Sequence, residues 1–236
     1  MAAAGAMTAS CDSGDIYETN TTGNTSTYKL KVTGQIVGQD SWPSGYTLCV
    51  AAFNDNSEYS LTQKQVMRSN IDTDGMLNIT LTNIPTTATT VGLYVTNNLR
   101  GRVVCFNSVK ITDKQKYSDT IRIDLDGVTD LSIMAGVQTG IFDNNAYNCS
   151  MCHGDSNPRA SLTLTDGNSY TNLVGTASTR VEGATRVVPG NAEQSVLYQA
   201  LQSGNPAGLR YDHSGLANNT MLQLIKDWIE GLTEKE

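Results

Sequence analysis

The residues best suited to chemistry are the cysteines and the histidine of one short segment, Cys149-Ser150-Met151-Cys152-His153. Cys149 and Cys152 are three residues apart, so on one helical turn they lie on the same face. Two thiols at this spacing can form thioethers with the two vinyl groups on one porphyrin edge, while the adjacent histidine binds iron through a neutral imidazole nitrogen. The pattern predicts one covalently attached haem c, held by Cys149 and Cys152, with His153 as the proximal iron ligand.

The same cysteine pair has two other interpretations, half of a zinc site or a redox dithiol. A structural zinc site needs four ligands, and the sequence contains no second C-x-x-C and no H-x-x-x-H. A thioredoxin-like dithiol is expected near a strand–helix–strand pattern, which the flanking residues do not show. The histidine that directly follows Cys152 therefore favours haem.

Charge and hydropathy limit the class of partner. The 236 residues carry a net charge of −7, which disfavours nucleic acid and favours a redox partner protein with a basic docking face. No apolar run approaches the roughly 20 residues needed to span a bilayer, so no transmembrane segment is expected.

Residues 1–26 are predicted to be a signal remnant followed by a flexible leader. Residues 1–10 are small and apolar and end at Cys11, as at the end of a lipoprotein signal, although Thr8 stands where leucine is usual and a basic start is lacking. Cys11 is thus a candidate lipidation site that would tether the protein without spanning the membrane. Together with the thioether motif, this predicts an exported protein, periplasmic or at the cell surface.

Residues 27–130 show short, largely apolar or alternating runs between turn residues, which predict about seven strands. Their number and spacing favour an antiparallel β-sandwich, immunoglobulin-like or transthyretin-like in outline. Cys49 and Cys105 fall in the middle of two of these runs. They form a candidate inter-sheet disulfide if the two strands face each other, and are otherwise two buried free thiols.

From Leu131 onward, helical spacing replaces alternation, and Met221, Leu224, Ile225 and Trp228 lie on one face of a terminal amphipathic helix. The segments Val137–Asp143, Cys149–Gly154, Arg186–Gly190 and Leu224–Ile229 resemble those of bacterial monohaem cytochrome c domains, class-I-like, of the planctomycete and Bacteroidetes type. The resemblance implies an all-α haem domain over residues 131–236. The predicted fold is therefore a two-domain β + α chain, a sandwich followed by an all-α cytochrome c domain.

The resemblance also raises the question of the sixth iron ligand. Such domains usually carry a methionine shortly before the last helix, but the corresponding segment Leu209–His213 contains none. His213, the only other histidine of the chain, is the favoured distal ligand. Met221 is the less favoured ligand, and a vacant site or one occupied by Tyr211 is the third alternative.

These expectations favour an electron carrier rather than an enzyme, passing single electrons through one haem. Two alternatives stay open at this point. One is a haem-based redox enzyme or small-ligand sensor with an open sixth site, where His213 or Arg210 acts in the distal pocket. The other is a surface module in which the β-sandwich binds glycan or protein.

Overall fold

The computed structural model describes residues 28–112 and 120–233. The predicted leader, 1–26, and the candidate lipidation site Cys11 lie outside the described residues.

Within the described residues, seven strands form two sheets that enclose a hydrophobic core. The three-stranded sheet has the order β4-β1-β7 and the four-stranded sheet the order β3-β2-β5-β6. Alternation builds the core, as in β1, where Leu30, Val32 and Ile36 are buried between more exposed neighbours. The strands are β1 Lys29–Val37, β2 Tyr46–Phe53, β3 Thr62–Gln65, β4 Met76–Leu81, β5 Thr90–Asn97, β6 Arg102–Lys110 and β7 Thr120–Asp130.

The sheets are not purely antiparallel, because β7 pairs with β1 in the parallel sense. The register between these two strands shifts between Thr33 and Gln35. Gly34 lies at the shift with a φ of +142°, and a Cβ there would be 2.5 Å from the Cβ of Leu125. Alternation reports which face of a strand is buried and carries no information on strand direction, so the antiparallel prediction was wrong here.

The candidate disulfide between Cys49 and Cys105 is contradicted, because both are free thiols in the same sheet. Cys49 in β2 pairs with Tyr94 in β5, and Tyr94 pairs with Cys105 in β6. Neighbouring strands are about 4.8 Å apart, which puts the two cysteines roughly 10 Å apart. A disulfide needs Cα atoms within about 7 Å of each other. Burial raises the pKa of Cys49 to about 11.

After β7 the chain forms short helices joined by irregular segments. The helices are α1 Ile133–Val137, α2 Cys149–His153, α3 Ser169–Leu173, α4 Val196–Leu201 and α5 Asn219–Glu230, with a π-helical turn at Gln138–Phe142. Single 3₁₀ turns occur at Gln39–Ser41, Arg68–Asn70, Arg159–Ser161 and Ser214–Leu216.

The predicted all-α domain over 131–236 is therefore wrong for the residues that are described. Only α5, with 12 residues, is longer than six residues, and the structure as a whole is mostly sheet. Isolated β-bridges, such as that between Val174 and Val187, connect the irregular segments. These segments are rich in Gly, Asn, Ser and Thr, residues that favour turns and caps over helix interiors.

One continuous core joins the sheets to the helices. The indole N–H of Trp42, beside the four-stranded sheet, donates a 2.7 Å hydrogen bond to the carbonyl of Leu131. The hydroxyl of Tyr46 in β2 donates a 2.6 Å bond to a carboxylate oxygen of Asp227 in α5. No helix within residues 28–112 and 120–233 is long and apolar enough to cross a membrane.

Candidate haem-binding site

Helix α2 consists of the motif itself. The preceding residue, Asn148, is left-handed with a φ of 52°, and the following Gly154 is extended. A Cβ at Gly154 would be 2.6 Å from the carbonyl oxygen of Ser150, so the chain can leave the helix this way only with glycine. Cys149 and Cys152 consequently share a single helical turn that ends immediately after His153.

The two motif cysteines have different environments. Cys149 is half-buried, with its sulfur 3.7 Å from the carbonyl oxygen of Ile141 in the π-helical turn. Burial raises the pKa of Cys149, so its thiol is protonated near neutral pH. Cys152 is exposed.

A buried glutamine connects α1 with the segment beyond the motif. Gln138 donates to the carboxylate of Asp143 at 2.9 Å and to the carbonyl of Leu164 at 3.0 Å, and it accepts a 2.6 Å bond from the hydroxyl of Ser169. The amide of Leu164 in turn donates to the carbonyl of His153 at 2.7 Å. The end of α2 is thereby fixed to the core.

The ring of His153 is oriented by backbone carbonyls. Its Nδ1 lies 3.1 Å from the carbonyl oxygen of Arg159 and 3.2 Å from that of Leu162. Two acceptors at one nitrogen require that Nδ1 carries the proton, which leaves Nε2 with a free lone pair. In metal-binding histidines generally, the ring nitrogen that does not bind the metal donates a hydrogen bond, and this bond fixes the orientation of the ring. Burial lowers the pKa of His153, which favours the neutral form that binds metal.

The ring of His213 lies near the ring of His153, although the two residues are far apart in the sequence. The ring centres are 6.3 Å apart and the ring planes differ by 29°. The ring of Tyr211 contacts His213 edge-on, with centres 4.8 Å apart. Burial lowers the pKa of His213, and a hydrogen bond to the backbone of Tyr211 partly opposes this shift. The Nδ1 atom of His213 is buried and makes no hydrogen bond of normal geometry among the described residues. An unpartnered buried nitrogen is unfavourable unless something else binds there.

The spacing of the two imidazoles fits a single metal ion between them. Nitrogens on opposite sides of one ion, each about 2 Å from it, put the ring centres roughly 6 Å apart. The observed separation of 6.3 Å is close to this value. The distance between the ring centres is therefore compatible with both imidazoles holding one iron ion.

Met221 and Tyr211, the other side chains considered as iron ligands, lie in different surroundings from His213. Met221 lies in the first turn of α5 with 4% of its surface exposed, within the hydrophobic core. Tyr211 is 65% exposed and contacts His213 rather than His153. Of these three side chains, His213 is the one whose ring lies next to that of His153.

No protein-family model matches the chain, and no curated protein is significantly similar to it. The resemblance to class-I-like cytochrome c domains is contradicted by this result and by the short helices of the C-terminal half. Nor do the described residues contain a group of three or more His, Cys, Asp or Glu side chains that could hold a metal ion. The motif is local and needs only one helical turn, so it does not specify the fold that surrounds it.

The backbone carbonyls that hold His153 could not be predicted from the sequence. The carbonyls of Arg159 and Leu162 have no side-chain signature, and their position depends on the path of the loop alone. No residue pattern could have identified them.

Proposed function

We propose that this chain carries one covalently attached haem c and transfers single electrons. The observation that carries the proposal is the proximity of the His153 and His213 rings, whose centres are 6.3 Å apart, together with the position of His153 directly after the C-x-x-C pair. Each of Cys149 and Cys152 would add its S–H across one vinyl double bond, the sulfur bonding to one carbon and the hydrogen to the other. No oxidant is consumed in this attachment.

His153 would bind the iron through Nε2, because its Nδ1 donates to two carbonyls. His213 would be the second side chain that holds the iron. When bound, the haem supplies a one-electron couple between Fe(II) and Fe(III). If both histidines hold the iron, no position on it is left for a substrate, so the proposed role is that of an electron carrier rather than an enzyme. One electron enters from a donor and one leaves to an acceptor.

The donor and acceptor would be redox proteins with basic docking faces, since the chain has a net charge of −7. Nucleic acid is not a proposed partner. Covalent haem attachment and the candidate lipidation site Cys11 support an exported protein, periplasmic or at the cell surface, tethered by a lipid anchor.

The test is expression of the full chain in a bacterial host with a c-type haem maturation system. We expect mass spectrometry to find one haem bound per chain after denaturation, and the double variant Cys149→Ala/Cys152→Ala to carry none. Cys105→Ala is the matched control and should retain the haem. Failure of the wild-type chain to acquire covalent haem under these conditions would refute the proposal.

A further inference from the structure

We propose that Arg186 is a positioning residue that holds the loop Arg159–Leu162 around His153 and so determines which imidazole nitrogen is free to bind the iron. The inference rests on the proposed role of His153 as an iron ligand.

Arg186 is buried, with 7% of its surface exposed. Its guanidinium donates hydrogen bonds to three backbone carbonyls, those of Asn172 at 2.8 Å, Ala160 at 2.9 Å and Ser161 at 3.0 Å. Among the described residues, no carboxylate forms an ion pair with it. A buried cation is unfavourable unless its donors are satisfied, so these carbonyls are what allows the guanidinium to be buried here.

His153 and Arg186 bind alternate parts of the same four-residue loop. The two outer carbonyls, of Arg159 and Leu162, face Nδ1 of His153. The two inner carbonyls, of Ala160 and Ser161, accept from Arg186. The orientation of the acceptors for His153 therefore depends on the same backbone that Arg186 holds.

The loop has a backbone conformation that needs external support. Ala160 and Ser161 are adjacent, and both are left-handed, with φ values of 58° and 50°. Residues with a Cβ rarely adopt this conformation, and it persists only where surrounding contacts enforce it. The hydroxyl of Thr179 adds a 2.7 Å bond to the carbonyl of Ala160, but Thr179 is exposed. Arg186 is thus the buried support of the strained pair.

Arg186 is itself well anchored. Its amide donates to the carbonyl of Thr176 at 2.8 Å, and the neighbouring Val187 forms a β-bridge with Val174. Without the guanidinium, Ala160 and Ser161 are expected to relax toward common backbone conformations. The carbonyls of Arg159 and Leu162 would then diverge, and Nδ1 of His153 would lose its acceptors.

The first test uses the full chain produced without haem and ¹⁵N-labelled histidine, observed by long-range ¹H–¹⁵N NMR. In the wild type we expect the His153 ring to be the Nδ1–H tautomer. In Arg186→Met the ratio of the Nδ1–H to the Nε2–H tautomer should fall by about threefold or more. Arg180→Met, which removes an exposed arginine of the same region, should leave the ratio unchanged.

Arg186→Lys keeps the positive charge, but a lysine cannot donate to three carbonyls at once, so this variant should also lower the tautomer ratio. It provides a second test if the methionine variant does not fold. A wild-type tautomer ratio in a folded Arg186→Lys or Arg186→Met protein would overturn the inference. If neither variant folds, while Arg180→Met does, Arg186 serves general stability and the inference is likewise overturned.

The second measurement is the low-spin electron paramagnetic resonance spectrum of the haem-loaded variants, which we expect to broaden in Arg186→Lys relative to Arg180→Met. The two proposals can fail separately. Absence of covalent haem in the wild type counts against the proposed function, whereas a tautomer ratio independent of Arg186 counts against the positioning role alone.

Discussion

His213 is the residue on which the distal side of the candidate site depends. It approaches His153 from a segment 60 positions later in the chain, and its buried Nδ1 makes no hydrogen bond of normal geometry among the described residues. Replacing it should therefore alter the iron without altering the thioether attachment.

In haem-loaded His213→Ala, the apparent affinity for carbon monoxide should rise at least about tenfold, because the external ligand no longer competes with a side chain for the iron. Ferrous optical spectra titrated with carbon monoxide measure this. Met221→Leu is the control and should behave as the wild type, since Met221 belongs to the core. Tight carbon monoxide binding by the wild type would contradict the assignment of His213.

Replacing the same side chain by methionine should raise the reduction potential. Methionine ligation favours the ferrous state relative to a second histidine, and the shift in His213→Met should be on the order of 100 mV. Spectroelectrochemical titration of the purified protein measures the potential. A potential equal to that of the wild type would show that residue 213 does not bind the iron.

Tyr46 provides a prediction on stability. Its hydroxyl donates to Asp227, and burial followed by this bond raises the pKa of Tyr46 well above its usual value. Tyr46→Phe should lower the free energy of unfolding of the haem-free protein by about 1.5–3 kcal/mol at neutral pH, as for a bond to a charged acceptor. Urea denaturation measures the difference, and Tyr59→Phe, at an exposed tyrosine, should change it by less than about 0.5 kcal/mol.

The sign of the pH dependence follows from the raised pKa. The stability contributed by Tyr46 is fully present below the unfolded-state pKa of about 10 and is lost as the pH rises beyond it, because the unfolded chain then ionises more readily. The phenylalanine variant lacks this group. The difference between wild type and Tyr46→Phe should therefore shrink between pH 9 and 11, and a constant difference would contradict the assignment.

At the scale of elements, helix α1 packs closely against Trp42. A Cβ added at Gly136 would lie 2.5 Å from Cη2 and 2.8 Å from Cζ2 of the indole, which is also held by its bond to Leu131. Close packing of this kind requires the smallest residue at the helix surface.

Gly136→Ala should accordingly destabilise the protein by about 1–3 kcal/mol, the usual range for overpacking, even though alanine is the better helix former. Thermal unfolding followed by circular dichroism measures this. Gly215→Ala is the control, because nothing lies within 4 Å of a Cβ at that position. An unchanged or increased stability of Gly136→Ala would mean that α1 does not rest on Trp42.

At the scale of the whole molecule, the sheets and the helical segment share one core and several hydrogen bonds, among them Trp42 to Leu131, Ile133 to Ser41 and Tyr46 to Asp227. β7 ends at Asp130, where the sequence predicts a domain boundary, but the contacts continue across it. These contacts predict that both parts unfold together.

Native-state hydrogen exchange should give the amides of Val32 in β1 and Ile225 in α5 opening free energies within about 1 kcal/mol of each other. Tyr46→Phe should lower both by the same amount. If the variant lowered only the value for Ile225, the two parts would be independent units and the shared core would not couple them.

Several elements could be predicted from the sequence because their signals are local. The apolar run Tyr46–Phe53 predicts β2 at its observed bounds, and the apolar stripe of α5 predicts its buried face. β3, with the sequence Thr-Gln-Lys-Gln, could not be predicted, because this polar strand at the edge of the sheet shows no apolar alternation. The all-α prediction was wrong for residues 131–218, because the few apolar positions at helical spacing there lie within turn-rich segments.

The sequence by itself determined that two thiols and an imidazole lie within the one helical turn of α2, because their spacing along the chain brings them together without any distant residue. Only the tertiary structure decided that β7 runs parallel to β1, that Cys49 and Cys105 lie in one sheet with Tyr94 between them, and that His213 faces His153. It also decided which carbonyls orient His153, a feature that no side chain encodes. The physical reason is that these relations depend on the path of the backbone between distant segments, and packing of the whole chain sets that path.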